Sequence, residues 1–277
     1  MRKAFAVCKL AAILMAAAST SLAAALALGA PVVGSQNITG NRTTAQYTDS
    51  GNTYGPYGWN YSYTRGFNGT QFYKDIEVKF NFDDGVFNND AVVQAAWVQS
   101  AITGIQGIWD NKWAIKDNQT GLLYPIIVEI TTAGPFNQTV QVHASTGSDP
   151  DDPNPAGNDA DRSDMTSWYT GNTGPTNAHE VGHMMGLFDE YMGGAVNQYP
   201  NPLLSNDGLM GLGALNANPV MYQRYYQQFA DYANTVNDPG NTAGYSLQAV
   251  PEPSTLLLLA ASGACVAVFR RTRRTAA

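Results

Sequence analysis

Between Asp75 and Phe82 polar and apolar residues alternate without interruption, with Ile76, Val78, Phe80 and Phe82 set between Asp75, Glu77, Lys79 and Asn81. A period of two puts the four apolar side chains on one face and predicts a half-buried strand, which Asp83-Asp84-Gly85 closes. The period then lengthens. Val93, Trp97, Ala101, Ile105 and Ile108 or Trp109 recur at helical spacing, predicting a helix from about Asp90 to Trp109 with Asn89 as its cap. The aromatic members of that stripe read as core. "LLYPIIVEITTA" and "TVQVHAS" predict two strands around a Gly134-Pro135 turn, and "MTSWYTG" a short edge strand. Helical character returns from about Asn177, and "NPVMYQRYYQQFADY" predicts a closing helix with Tyr222, Tyr225, Tyr226 and Phe229 facing inward. Strand, long helix and further strands make the fold class α+β.

Residues 28 to 72 show no such pattern. They are rich in Gly, Asn, Thr and Tyr, poor in aliphatics, and read as loops, short edge strands or a partly disordered lead-in. Interleaved tyrosines suit sugar binding, but ordinary loop packing explains them as well. The regular region runs from 73 to 247.

Both chain ends follow a different logic. Arg2, Lys3 and Lys9 precede an apolar run that ends in small residues near Ala27, which predicts a cleaved export signal over residues 1 to 27. Residues 250 to 277 carry Pro251-Glu252-Pro253, an apolar run from Leu256 to Phe269, and the cluster Arg270, Arg271, Arg273 and Arg274. That run is shorter than the ~20 residues a comfortable bilayer span needs, and its arginines would hold the end on the cytoplasmic side. This tail resembles the PEP-CTERM sorting signal of Gram-negative bacteria. The resemblance implies processing by an exosortase-type enzyme, transient membrane contact, and delivery to the cell surface or an extracellular matrix.

Charge narrows the partners. Residues 31 to 250 hold 8 Lys or Arg and 21 Asp or Glu, a net charge of 8 − 21 = −13, which repels phosphate backbones and argues against nucleic acid. Cys8 and Cys265 both fall in the removable ends, so the exported chain would have no disulfide. Asp149, Asp151, Asp152, Asp159, Asp161 and Asp164 offer oxygen ligands of the kind Ca2+ takes, without the spacing of an EF-hand loop.

The candidate chemistry lies in "HEVGHMMGLFDEY", residues 179 to 191. His179 and His183 are four apart, so a helix puts both imidazoles on one face, within reach of one metal ion. Glu180 points elsewhere but can reach a water on that ion, as a metal-assisted hydrolase requires. Gly186 suits a helix stop and chain reversal, which would swing Asp189 back as third ligand, with Glu190 its rival. His143 is the only other histidine and lies on a predicted strand upstream, where a structural role is the default.

This stretch looks like the metzincin zinc-peptidase pattern, with Asp189 where most members carry histidine. The resemblance implies a metzincin-like fold: a mixed twisted sheet, a long helix, an active-site helix and a smaller, irregular C-terminal subdomain. It also implies a methionine turn beneath the metal, for which "SNDGLMGLG" offers Met210. The expected function is that of a secreted endopeptidase acting on protein or peptide substrates. Zn2+ is held by His179, His183 and Asp189, Glu180 is the general base, and Tyr191 or Tyr222 is a candidate oxyanion donor. The competing expectation is a non-catalytic surface or matrix protein whose zinc site only stabilises the fold.

Overall fold

The computed structural model describes residues 30–145, 163–172 and 174–251. The export signal, the tail beyond residue 251 and the aspartates at 149, 151, 152, 159 and 161 lie outside the described residues.

The first half of the sheet comes from a stretch whose sequence predicted no long strands. β1 (Gly34–Thr43) and β4 (Gly58–Phe67) pair antiparallel over all ten residues, and β2 (Tyr47–Asp49) with β3 (Asn52–Tyr54) forms a small ladder between them in the chain. β4 then pairs with β5 (Phe72–Phe82), the alternating strand, so residues 34–67 are sheet and not a separate lead-in. The overlooked signal is the alternation of Trp59, Tyr61 and Tyr63. β1 carries no matching pattern, because an exposed edge strand does not need a buried face.

The remaining strands are β6 (Trp113–Asp117), β7 (Leu123–Thr131), β8 (Gln138–His143), β9 (Ser167–Tyr169) and β10 (Tyr245–Ala249). β7 runs parallel to Phe72–Glu77 of β5, and β8 runs parallel to Val78–Phe82. The Gly134-Pro135 turn therefore joins two strands that follow one another along β5. β9 lies parallel on β8, and β6 and β10 extend the other end of the sheet antiparallel. β6 and β10, five residues each, were not predicted. The sheet is mixed and the fold is α+β, as expected.

Helix α1 (Ala91–Trp109) begins at Asp90, whose carboxylate accepts from the amides of Val92 (2.9 Å) and Val93 (3.3 Å). Asn89, the expected cap, is in the left-handed region (φ 60°), and its side chain bonds the preceding turn at Gly85 and Asp84. Val93 is exposed rather than inward; the buried face is Ala101, Ile102, Ile105 and Trp109. That face packs on α2 (Gly174–Met184). Gly104 and Gly174 meet backbone to backbone, since a Cβ on Gly104 would lie 3.2 Å from the Gly174 Cα. The Trp109 indole donates to the Ala178 carbonyl at 2.9 Å. From α2 to the closing helix α3 (Gln227–Thr235) the chain holds only isolated bridges and short 3-10 turns, an irregular C-terminal part. Tyr225, Tyr226 and Phe229 are buried there, while Tyr222 is only partly so.

One core position breaks the apolar rule. Lys74 follows Phe72 on the inner face of β5 and is fully buried. Its ammonium donates to Gln228 Oε1 (2.9 Å) and sits 4.6 and 4.8 Å from the ring centres of Tyr63 and Phe229. Burial first, and Arg65 second, lower its pKa to about 7 from 10.5. A cation whose folded pKa lies below its unfolded one destabilises most at low pH. That cost is full below about pH 7 and fades as pH rises toward 10.5. Lys74→Met is therefore expected to stabilise the fold by on the order of 2 kcal/mol at pH 6.5. Gln228 Oε1 keeps the Tyr63 hydroxyl at 2.6 Å as a donor. Urea unfolding of both proteins at pH 6.5 and 9.5 checks it: the gap should narrow at the higher pH, and a constant or absent gap counts against a buried charge.

Candidate metal centre

On α2, Pro175 occupies the first turn, where a missing amide hydrogen costs nothing, and every residue from Ala178 to Met184 is buried. Four-residue spacing brings the His179 and His183 rings to a centroid distance of 4.8 Å. Each ring has its Nδ1 on a backbone carbonyl, His179 on Leu209 O (2.8 Å) and His183 on Leu187 O (2.9 Å). A carbonyl only accepts, so Nδ1 carries the hydrogen, and in the neutral ring Nε2 is left with a bare lone pair. The two Nε2 atoms are 3.2 Å apart. In the neutral tautomers two bare lone pairs make no hydrogen bond with each other, and one cation between them could take both.

The helix ends in a Schellman arrangement: Gly186 donates to His183 O (2.8 Å) and Leu187 to Gly182 O (3.0 Å), with Gly186 at φ 82°. This turn puts the Leu187 carbonyl under His183 and sends the chain back past the two rings. Asp189 Oδ1 arrives 3.1 Å from His179 Nε2 and 3.2 Å from His183 Nε2. Although buried, Oδ1 has no hydrogen-bond partner, and with the two Nε2 atoms it makes a triangle with sides of 3.1–3.2 Å. Asp189 Oδ2 is held separately by the Ala195 amide at 2.6 Å. Gly194 has no Cβ because one there would come within 2.5 Å of that oxygen.

The donor set fits zinc. Ligands at ~2.0–2.1 Å around a tetrahedral ion lie about 3.3 Å from each other, close to the 3.1–3.2 Å separations here. Electrostatics agree in sign. Burial, the largest single effect, disfavours charge on both imidazoles, but Asp189 together with Glu180 at His179, and with Leu187 O and Asp164 at His183, leaves both pKa values raised. Burial pushes the Asp189 carboxyl up, but the two rings hold it well below the usual carboxylate range.

Glu180 is 5 % exposed, and its carboxylate lies within 4.8 Å of the ring nitrogens. Glu180, His179, His183 and Asp189 line one open cleft of about 510 Å³, whose other walls include Trp59, Met165 and Tyr191. A hollow of similar size beside Lys112, Trp113 and Met221 has no histidine or carboxylate on its lining. Beneath the helix Met210 is fully buried, its sulfur occupying the space that a side chain on Gly182 would need.

Other candidates are placed elsewhere. Glu190 turns away from the rings. Arg224 Nε and Nη2 bond its two oxygens at 2.6 Å each, and the hydroxyls of Tyr225 (2.7 Å) and Ser205 (2.8 Å) complete its shell. Tyr222 donates to Asp207 (2.7 Å) and is not on the cleft wall, whereas Tyr191 is. His143 pairs with Asp83 at 2.5 Å, away from the cleft. Asp164 sits on the cleft rim, where its Oδ1 caps the turn at Thr166 and Ser167. The wall residues Tyr57 and Trp59 were missed, because they belong to the stretch read as irregular.

Comparison with known proteins adds information at one end. Residues 249–274 match the PEP-CTERM protein-sorting motif. That motif marks a secreted, cell-surface or extracellular protein of Gram-negative bacteria that is processed by an exosortase-type enzyme. No curated protein and no solved structure matches the chain.

Proposed function

We propose that the protein is a secreted zinc-dependent endopeptidase of the metzincin type. The carrying observation is two bare Nε2 atoms and one carboxylate oxygen gathered around a point, with a second buried carboxylate beside them in an open cleft. Zinc bound there supplies Lewis acidity and lowers the pKa of water toward neutrality. His179, His183 and Asp189 hold it, each fixed in orientation by a backbone partner, at Leu209, Leu187 and Ala195. Glu180 takes the proton of the attacking water and returns it to the leaving amine. Tyr191, on the cleft wall, is the candidate donor to the developing oxyanion.

Two features favour catalysis over a purely stabilising site. Structural zinc sites are closed by four protein ligands, whereas here three protein atoms converge beside a cleft. A stabilising site also has no need of Glu180. The test pairs zinc content of the secreted protein with hydrolysis of casein, before and after chelation and after zinc is restored. One zinc per chain, with hydrolysis that chelator removes and zinc restores, is expected. Stoichiometric zinc with no cleavage across a broad peptide library would leave the scaffold role standing instead.

A further inference from the structure

We infer that the N-terminal hairpin is a clamp that fixes the third metal ligand against the helix, with the Tyr47 hydroxyl as its positioning group; this rests on the zinc site proposed above. The Asp189 carboxylate is oriented toward the two histidines by the Ala195 amide, which holds Oδ2, and the Asp189 amide donates back to Ala195 O at 3.1 Å. Ala195 follows Gly193-Gly194, which has no side chain to hold it, and Gly193 is at φ 101°. Besides local backbone bonds to Asp189 and Tyr191, its side-chain anchors come from more than 130 residues upstream. The Tyr47 hydroxyl donates to Gly194 O and accepts from the Gly193 amide, both at 2.9 Å, and the Tyr57 hydroxyl donates to Gly193 O at 2.9 Å.

The same hairpin grips the helix end. The Trp59 indole, on β4, donates to His183 O at 3.0 Å, with its ring edge-on to the His183 imidazole. Arg42, on β1, donates to Gly186 O at 2.9 Å, and the Tyr61 ring fills the space beside that glycine. The β1–β4 ladder thus holds the helix end that carries His183. The β2–β3 ladder inserted within it, with Tyr57 in the link back to β4, holds the loop that carries the partner of Asp189. The distance between these ligands is set through the hairpin, and not through the turn at Gly186 alone.

Tyr47→Phe isolates the hydroxyl, because stacking on Tyr199 (4.7 Å) and contact with Tyr54 (5.3 Å) keep the ring in place. The secreted protein would be stripped, and zinc affinity measured by competition with a chromophoric chelator. The visible spectrum of the Co2+-loaded form reports the coordination itself. Loss of an outer partner typically weakens metal binding ~10–100-fold, so Tyr47→Phe is expected to raise the zinc Kd about tenfold and to change the Co2+ bands. The metal-free thermal midpoint should stay within a few degrees of wild type. Trp59→Phe, which removes the donor of the other arm, is expected to act in the same direction. Wild-type affinity and an unchanged Co2+ spectrum in Tyr47→Phe would overturn the clamp. Should Tyr47→Phe not fold, Tyr57→Phe and Trp59→Phe decide alone, and wild-type behaviour in both overturns it. Asp189→Asn serves as the control that separates the two ideas: retention of metal there defeats the ligand assignment, whatever the hairpin variants do.

Discussion

Glu180→Ala is expected to keep one zinc per chain and to lose hydrolysis by a factor of ~10²–10⁴, the usual contribution of a positioned general base. The expectation follows from the place of Glu180 one residue along the helix from His179. Its carboxylate is buried and within 4.8 Å of the ring nitrogens, while Asp189 is the carboxylate that lies between them. Removing Glu180 therefore takes away a proton acceptor without taking away a ligand. The fold is expected to survive the change, since α2 is also held by the Trp109–Ala178 bond, by Met210 packed on Gly182 and by the Schellman turn at Gly186. Zinc content, thermal midpoint and casein hydrolysis in one preparation, with a chelator control, separate the possibilities. Equal hydrolysis by wild type and variant would remove Glu180 from the mechanism. Loss of zinc in the variant would make Glu180 a ligand and unseat the assignment of roles.

What was legible in the sequence is what depends on short-range spacing. β5 and α1 declared themselves by period, and the approach of His179 and His183 follows from four residues on a helix. The chain reversal that starts the return of Asp189 follows from one glycine at a helix end. The misses share a different cause. β1 lies at an exposed sheet edge, where the two-residue period has no buried face to mark. β6 and β10 are five residues each, too short for a period to stand out. Asn89 and Asp90 are both good caps, and only the left-handed backbone at Asn89 decides between them. The role of residues 34–67 in the site was hidden for a stronger reason. Their contacts with Gly186, Gly193 and Gly194 span sequence separations of 136 to 147, and no local pattern encodes them.

Adjacent carboxylates give the second large effect, and the sharpest internal contrast. Asp189→Asn keeps the shape of the side chain, and its carbonyl oxygen can still accept from Ala195, but a neutral amide is a poor zinc ligand. The two bare Nε2 atoms then lose the carboxylate that lies 3.1–3.2 Å from both. Zinc affinity is expected to fall by more than the ~10–100-fold seen on loss of an outer partner, while the metal-free fold is retained. Glu190→Gln should do the reverse. It leaves the ring nitrogens untouched but breaks the bidentate pair with Arg224 and weakens the bonds from Tyr225 and Ser205. Glu190 is buried, while Arg224 is 34 % exposed and solvent screens part of its loss. A destabilisation of about 1–3 kcal/mol is therefore expected, below the full cost of an orphaned buried charge. Calorimetric zinc titration and urea unfolding of both variants make the comparison. The pattern that defeats the assignment is the crossed one, in which Glu190→Gln empties the site and Asp189→Asn binds zinc as wild type does.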